Sequence, residues 1–80
     1  MESTVELLSN LEGNARWISD NYEALKKQHN NEWVAVLDKD VIDHDRDFNK
    51  LVKRLRTLFS EKYNEIALEY VTSEELNLIL

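Results

Sequence analysis

The sequence predicts an α+β domain: N-terminal helices, a β-hairpin, an amphipathic helix, a third strand and a short C-terminal helical turn. Two observations support this prediction. The 80-residue chain contains no proline and a single glycine, Gly13, which disfavours an all-β sandwich with its many tight turns. The spacing of apolar residues also changes along the chain, from helical to strand-like and back.

The N-terminal segment carries helix signals. Ser3 and Glu6 form a capping box, and apolar residues follow at helical spacing: Val5, Leu8 and Leu11. Gly13 can end this helix and Asn14 can begin a second one. A single helix passing through Gly13 is also compatible, since an isolated glycine costs only about 1 kcal/mol. The next apolar face comprises Ala15, Ile18, Tyr22 and Leu25.

A change of period after residue 30 predicts a hairpin. Trp33 to Leu37 is a continuous apolar run, and alternation places apolar side chains on both of its faces, as in a central strand. Residues 38–40, Asp-Lys-Asp, predict a turn. Val41 and Ile42 begin a second strand, which soon becomes acidic, as edge strands often do.

The second half of the chain predicts a helix and a third strand. Asp47 is a suitable N-cap, and an apolar stripe runs from Phe48 to Phe59. Residues 66–71 alternate as a strand. We expect this strand to run parallel to the second and to lie beside the first, giving the sheet order 2-1-3. Thr72 and Glu75 predict a last helical turn.

These elements predict one domain over residues 1–80. It comprises a helical extension (1–14), a core (15–71) and an apolar C-terminal tail (72–80).

Charge and cysteine content restrict the function. The net charge of −6 disfavours binding to polyanions such as nucleic acids. The absence of cysteine excludes disulfides and thiolate chemistry. The acidic N-terminus does not resemble a signal peptide, and no apolar run approaches the ~20 residues that span a bilayer. We therefore expect a cytoplasmic protein without membrane contact.

The stretch from Tyr22 to Val71 resembles a family of small domains of unknown function found mainly in archaea and some bacteria. The residues that carry the resemblance are Trp33, Val34, Ala35, Val36, Asp38, Val41 and His44. The chain departs from the family at Lys39, where glycine is common, and in its additional N-terminal helical stretch. The resemblance implies the hairpin–helix–strand fold and no particular activity.

Five aspartates surround His44 between residues 38 and 47. Calcium-loop spacing requires glycine at position 6 and glutamate at position 12, and neither possible start satisfies it. We expect His44 to share a face with Ile42, away from Asp43 and Asp45, and His29 to stand alone in a loop. An enzyme or metal protein that uses Asp43, His44 and Asp45 is the least favoured hypothesis, and we predict no catalytic residue, cofactor or metal ligand.

Two surfaces remain as interaction candidates. The first is apolar and predicts a non-enzymatic protein-interaction or adaptor module, with a protein partner or a second copy in a homodimer. Its residues are Ile66, Leu68, Tyr70, Leu76, Ile79 and Leu80. The alternative is a nucleic-acid accessory protein that uses a basic helix face. Its residues are Lys50, Lys53, Arg54 and Arg56.

Overall fold

The computed structural model describes residues 4–73. Its elements in chain order are α1 (Thr4–Asp20), α2 (Tyr22–Gln28), β1 (Glu32–Leu37), β2 (Asp40–Asp45), α3 (Phe48–Leu58), a 3₁₀ turn (Tyr63–Glu65) and β3 (Ala67–Val71). The predicted α+β class is confirmed. The predicted C-terminal helical turn lies outside the described residues.

The three strands form one sheet in the predicted order, β2-β1-β3. β1 pairs antiparallel with both neighbours, so β2 and β3 run in the same direction, as predicted. Val34, Ala35 and Val36 are fully buried, which confirms that β1 is the central strand.

The sheet is covered on both faces. On the face covered by α1 and α2, called the α1 face below, one core cluster comprises Ile18, Leu25, Val34, Val36, Ala67 and Val71. On the face covered by α3, the α3 face, a second cluster comprises Ala35, Leu37, Leu51, Leu55 and Ile66. The alternation of β1 side chains divides the core between the faces.

α1 is one continuous helix of 17 residues that passes through Gly13, so Gly13 does not end it and Asn14 does not begin a second one. Asn14 is buried and makes two hydrogen bonds. Its Nδ2 donates to the backbone oxygen of Glu65 at 2.8 Å, and its Oδ1 accepts from the Lys39 backbone N–H at 3.0 Å. Asn14 thus fixes α1 to the hairpin turn and to the segment before β3.

The hairpin turn and the start of α3 follow from local chemistry. Asp38 and Lys39 have φ values of 52° and 60°, and positive φ at both central residues is typical of a two-residue hairpin turn. Lys39 thus adopts the left-handed conformation that glycine would accommodate more easily. Asp47 caps α3 as predicted, its side chain accepting from the Lys50 backbone N–H.

β2 contains a bulge. Ala35 pairs with Asp43 and Val36 with Val41, so Ile42 is the extra residue. Val41 therefore packs on the α1 face, whereas Ile42 packs on the α3 face. The expectation that His44 shares a face with Ile42 is wrong, because the bulge interrupts simple alternation; His44 pairs with Val34 and lies on the α1 face.

Candidate functional site

Three side-chain groups have a geometry that bears on function. The aromatic cluster is Trp33, Phe48 and Tyr70; the arginine cluster is Arg54 with Asp43 and Asp45; the histidine cluster is His29, Glu32 and His44. They lie around the end of the sheet where β1 begins.

The aromatic cluster spans the α3 face at the β3 edge. Its centre is the Trp33 ring, whose centroid lies 4.7 Å from that of Phe48 and 5.5 Å from that of Tyr70, with the tilted geometry that aromatic pairs favour. Phe48 is supplied by the first turn of α3, and Tyr70 pairs with Trp33 across the two strands. Phe48 and Tyr70 remain 40% and 41% exposed.

The predicted partner-binding residues are thus distributed between core and surface. Ile66 is buried at 6% exposure, Leu68 is half-buried against the same core cluster, and Tyr70 is exposed. Leu76, Ile79 and Leu80 lie outside the described residues. Trp33 and Phe48 were not predicted to belong to this surface, because their contact depends on where α3 begins relative to β1.

The end of β3 beside this cluster is fixed by polar contacts. The Thr72 backbone N–H donates to the Tyr22 hydroxyl at 3.2 Å, and the Ser73 backbone N–H donates to Asn30 Oδ1 at 2.9 Å. The Thr72 hydroxyl donates to Asn31 Oδ1 at 3.1 Å. These contacts hold the β3 edge in place against α2 and the loop before β1.

The arginine cluster accounts for two of the predicted acidic residues. Arg54 Nε donates to Asp43 Oδ2 at 3.0 Å and its Nη1 donates to Asp45 Oδ2 at 2.8 Å. Hydrogen bonding from Arg54 lowers the pKa of Asp43 and outweighs the opposite effect of burial. The pKa of Asp45 is lowered first by the Asp47 backbone N–H and then by Arg54. Asp43 and Asp45 thus hold β2 against α3.

The basic residues of the nucleic-acid hypothesis do not form one free patch. Arg54 is bonded as described, and the Arg56 guanidinium lies 5.3 Å from the centre of the Tyr63 ring. Lys50 and Lys53 are exposed on α3.

The histidine cluster was not foreseen. Glu32 Oε2 lies 3.1 Å from His44 Nδ1, and Glu32 Oε1 lies 3.4 Å from His29 Nδ1. The two imidazole centroids are 4.5 Å apart. His29 is therefore not alone: it follows α2 directly, and the fold brings it against His44 of β2.

Glu32 is ionised more readily than an ordinary glutamate. Burial raises its pKa, but hydrogen bonds and charge from His44 and then His29 outweigh burial, so the pKa lies below the usual 4.5. A carboxylate between two imidazoles can accept hydrogen bonds from both rings or can join them in binding a cation.

A cavity of about 510 Å³ opens beside the two histidines on the α1 face. Its walls include Asp40, Val41 and His44 from β2, and Trp17, Asn21 and His29 from the helices and their ends. Solvent or a small ligand can therefore reach the imidazoles.

Within residues 4–73, no helix has both the length and the apolar character needed to cross a membrane.

Comparison with known proteins gives one family and no individual relative. Residues 24–73 match a family of unknown function, DUF5678. No curated protein and no solved structure matches the chain. The family match starts within α2, includes all three strands and α3, and covers more than half of the 80 residues; the chain belongs to the DUF5678 family, whose function is unknown.

Proposed function

We propose that the protein is a non-enzymatic protein-interaction module that forms a homodimer through the aromatic cluster and the β3 edge. The observation that carries the proposal is the exposure of Phe48 and Tyr70, 40% and 41%, in direct contact with Trp33. Aromatic side chains are enriched in protein interfaces and often provide much of the binding energy.

The two edge strands differ in their suitability for pairing. β2 carries the charged residues Asp40, Asp43 and Asp45, and charge on an edge opposes pairing with another strand. β3 has the sequence Ala-Leu-Glu-Tyr-Val, in which Glu69 is the single charged residue. An edge strand of this kind can receive a further strand through its backbone groups.

A second copy of the chain is the partner that this edge fits. Two antiparallel copies of one strand can exchange backbone hydrogen bonds about a two-fold axis, so the same surface serves both subunits. The net charge of −6 on each chain opposes this association. Added salt should therefore strengthen the dimer by screening the repulsion.

Mass measurement by light scattering over a protein dilution series tests the proposal. We expect a dimer for the wild type, and a dissociation constant at least tenfold higher for Tyr70→Lys and for Phe48→Ser. Leu58→Ser is the matched control because Leu58 is 69% exposed at the opposite end of α3. It should leave the dimer unchanged.

A wild type that stays monomeric at millimolar concentration and high salt would overturn the homodimer. A dimer that persists in both cluster variants would exclude this surface. Far-ultraviolet circular dichroism checks that each variant is folded.

The C-terminal tail is a separate part of the proposal. Leu76, Ile79 and Leu80 were predicted as partner contacts and lie outside the described residues. Deletion after Thr72 should leave a folded monomer if the tail takes part in the dimer, and an unchanged mass would reject the tail as a contact.

The nucleic-acid alternative predicts the opposite response to salt. Binding through Lys50, Lys53 and Arg56 would weaken steeply as salt is raised. Its fourth residue, Arg54, is already bonded to Asp43 and Asp45. Absence of a mobility shift with single- and double-stranded nucleic acid at low salt would eliminate this alternative.

The remaining parts of the proposal are a cytoplasmic location, which suits a chain without cysteine, and the absence of an enzymatic activity. The acidic groups nearest His44 in sequence, Asp43 and Asp45, are bound by Arg54 and point away from its ring. This arrangement does not favour acid–base chemistry by the three together.

A further inference from the structure

We propose that His29, Glu32 and His44 form a binding site for one divalent transition-metal ion of the zinc type. The sequence pattern predicts no metal ligand, because the two histidines belong to different segments and show no metal-binding spacing. The fold brings these side chains together from the residue after α2, from β1 and from β2, and their ligand atoms lie within 4.8 Å of one another.

The distances suit a tetrahedral ion. Zinc binds imidazole nitrogen and carboxylate oxygen at about 2.0–2.2 Å, so neighbouring ligand atoms in a tetrahedral site lie roughly 3.3 Å apart. The two nitrogen–oxygen distances, each to a different oxygen of Glu32, are 3.1 Å and 3.4 Å, and one ligand atom from each residue can be chosen so that all three lie within 4.8 Å of one another. Both imidazoles are thus close enough to Glu32 to share an ion with it, after side-chain rotation brings the three ligand atoms to tetrahedral spacing.

The ligand types select the class of metal. Two imidazoles and one carboxylate form a common three-residue zinc ligand set. Imidazole also suits cobalt, nickel and copper, whereas magnesium and calcium prefer oxygen ligands throughout. The Glu32 carboxylate brings a negative charge between the two rings, which offsets the charge of the cation.

The site is held by its surroundings. The His29 backbone N–H donates to the Leu25 oxygen at 2.7 Å and the Glu32 backbone N–H donates to the His29 oxygen at 3.1 Å. His44 is fixed by strand pairing opposite Val34. Side chains that are positioned before binding lose less conformational freedom when the ion arrives.

A fourth coordination position would face solvent. The His44 side chain is 48% exposed, whereas those of His29 and Glu32 are 14% and 21% exposed. The cavity on the α1 face reaches both imidazoles. A water molecule can thus complete the coordination, as in zinc sites with three protein ligands.

The competing explanation is a hydrogen-bonded cluster that binds no metal. In that case Glu32 accepts from both rings and only orders the loop between α2 and β1. The two explanations differ in whether removal of one side chain changes the binding of an added ion.

Isothermal titration of the untagged, metal-free protein with ZnCl₂ at neutral pH tests the proposal. We expect one ion per chain, and affinity at least a hundredfold lower in His29→Gln, Glu32→Gln and His44→Gln, since even loss of an outer hydrogen-bond partner commonly costs ten- to a hundredfold. Glu61→Gln is the control: it removes one exposed carboxylate outside the cluster and should leave the affinity unchanged. MgCl₂ should show no comparable binding.

Two further measurements identify the ligands directly. Addition of Co²⁺ should give the visible absorption of a tetrahedral site. In a nuclear magnetic resonance titration with ZnCl₂, the resonances of His29, Glu32 and His44 should shift before those of other residues. Binding should weaken at acid pH because protons compete for the imidazole nitrogens.

Zinc binding that is retained in His29→Gln and His44→Gln would assign it to the general acidic surface and overturn the proposal, as would a folded wild type that binds no zinc. His44→Gln is the most informative of the three variants, because the His44 side chain is 48% exposed and its replacement should leave the protein folded. Tyr70→Lys should bind zinc normally, so the outcome is independent of the proposed dimer.

Discussion

The two faces of the sheet attach their helices by different means. On the α1 face, Asn14 makes two buried hydrogen bonds, to the Glu65 oxygen and from the Lys39 N–H. On the α3 face, Leu51 and Leu55 are fully buried, and Arg54 forms partly exposed ion pairs with Asp43 and Asp45. Polar contacts of similar length therefore differ in their contribution to stability, because water can replace the partly exposed ion pair more easily than the buried contacts of Asn14.

The largest effect should come from the apolar side chains of both faces. Ile18→Ala and Leu55→Ala each remove a side chain that is 1% or less exposed, and each should lower the free energy of unfolding by about 3 kcal/mol. Urea denaturation measures both losses. Leu58→Ala, at an exposed position, should stay within about 0.5 kcal/mol. Markedly unequal losses would show that one helix contributes little to the common core.

Asn14→Ala tests the buried polar contact of the α1 face. It leaves the Lys39 N–H and the Glu65 oxygen without their partner and should cost about 2 kcal/mol. Urea denaturation measures the loss. The control is Asn49→Ala, which replaces an exposed asparagine on α3. A loss as small as that of the control would remove the distinction between the two faces.

Exchanging glycine and non-glycine residues should give smaller, stabilising effects beside the same contact. A Cβ at Gly13 would meet nothing within 4 Å. Gly13→Ala should therefore raise the free energy of unfolding by about 1 kcal/mol, because alanine is favoured over glycine in a helix interior. Lys39 has a φ of 60°. Lys39→Gly should raise the free energy of unfolding by about 0.5 kcal/mol, because glycine adopts the left-handed conformation at lower cost. Thermal unfolding measures both variants, and a loss of stability in either would contradict the assigned backbone conformation.

The ion pair of the α3 face should show itself in the pH dependence. The pKa of Asp43 is lowered below its usual 3.8, first by Arg54, so the stabilisation is present above pH 3.8 and is lost as pH falls through the lower pKa of the folded state. In Arg54→Gln the loss of thermal stability between pH 6 and pH 2.5 should be smaller than in the wild type. Raised salt should reduce the difference, and identical pH profiles would show that the pair does not stabilise the fold.

Much of the fold could be predicted because local pattern and burial agree. The run Trp33 to Leu37 is apolar on both faces, which suits only a covered central strand, and the stripe from Phe48 identifies α3. Gly13 could not be placed, because one glycine neither ends nor forbids a helix when nothing crowds it.

The candidate sites were less predictable because they depend on register. Glu32 and Val34 share a face in any strand, and that periodicity was visible. Whether His44 joins them depends on the bulge at Ile42, and Val41 and Ile42 are both apolar enough to face either core cluster. The contact of Trp33 with Phe48 likewise required the position of α3.

The extra residue in β2 shifts the alternation of side-chain directions by one position along the strand. Before it, the odd-numbered Val41 faces the α1 layer. After it, the odd-numbered Asp43 and Asp45 face α3, and His44 faces the α1 layer. Deleting Ile42 would leave Val41 opposite Val36 and Asp43 opposite Ala35 in regular alternation, so His44 would stay opposite Val34 on the α1 face. The bulge thus adds Ile42 to the core on the α3 face without turning His44 away from His29.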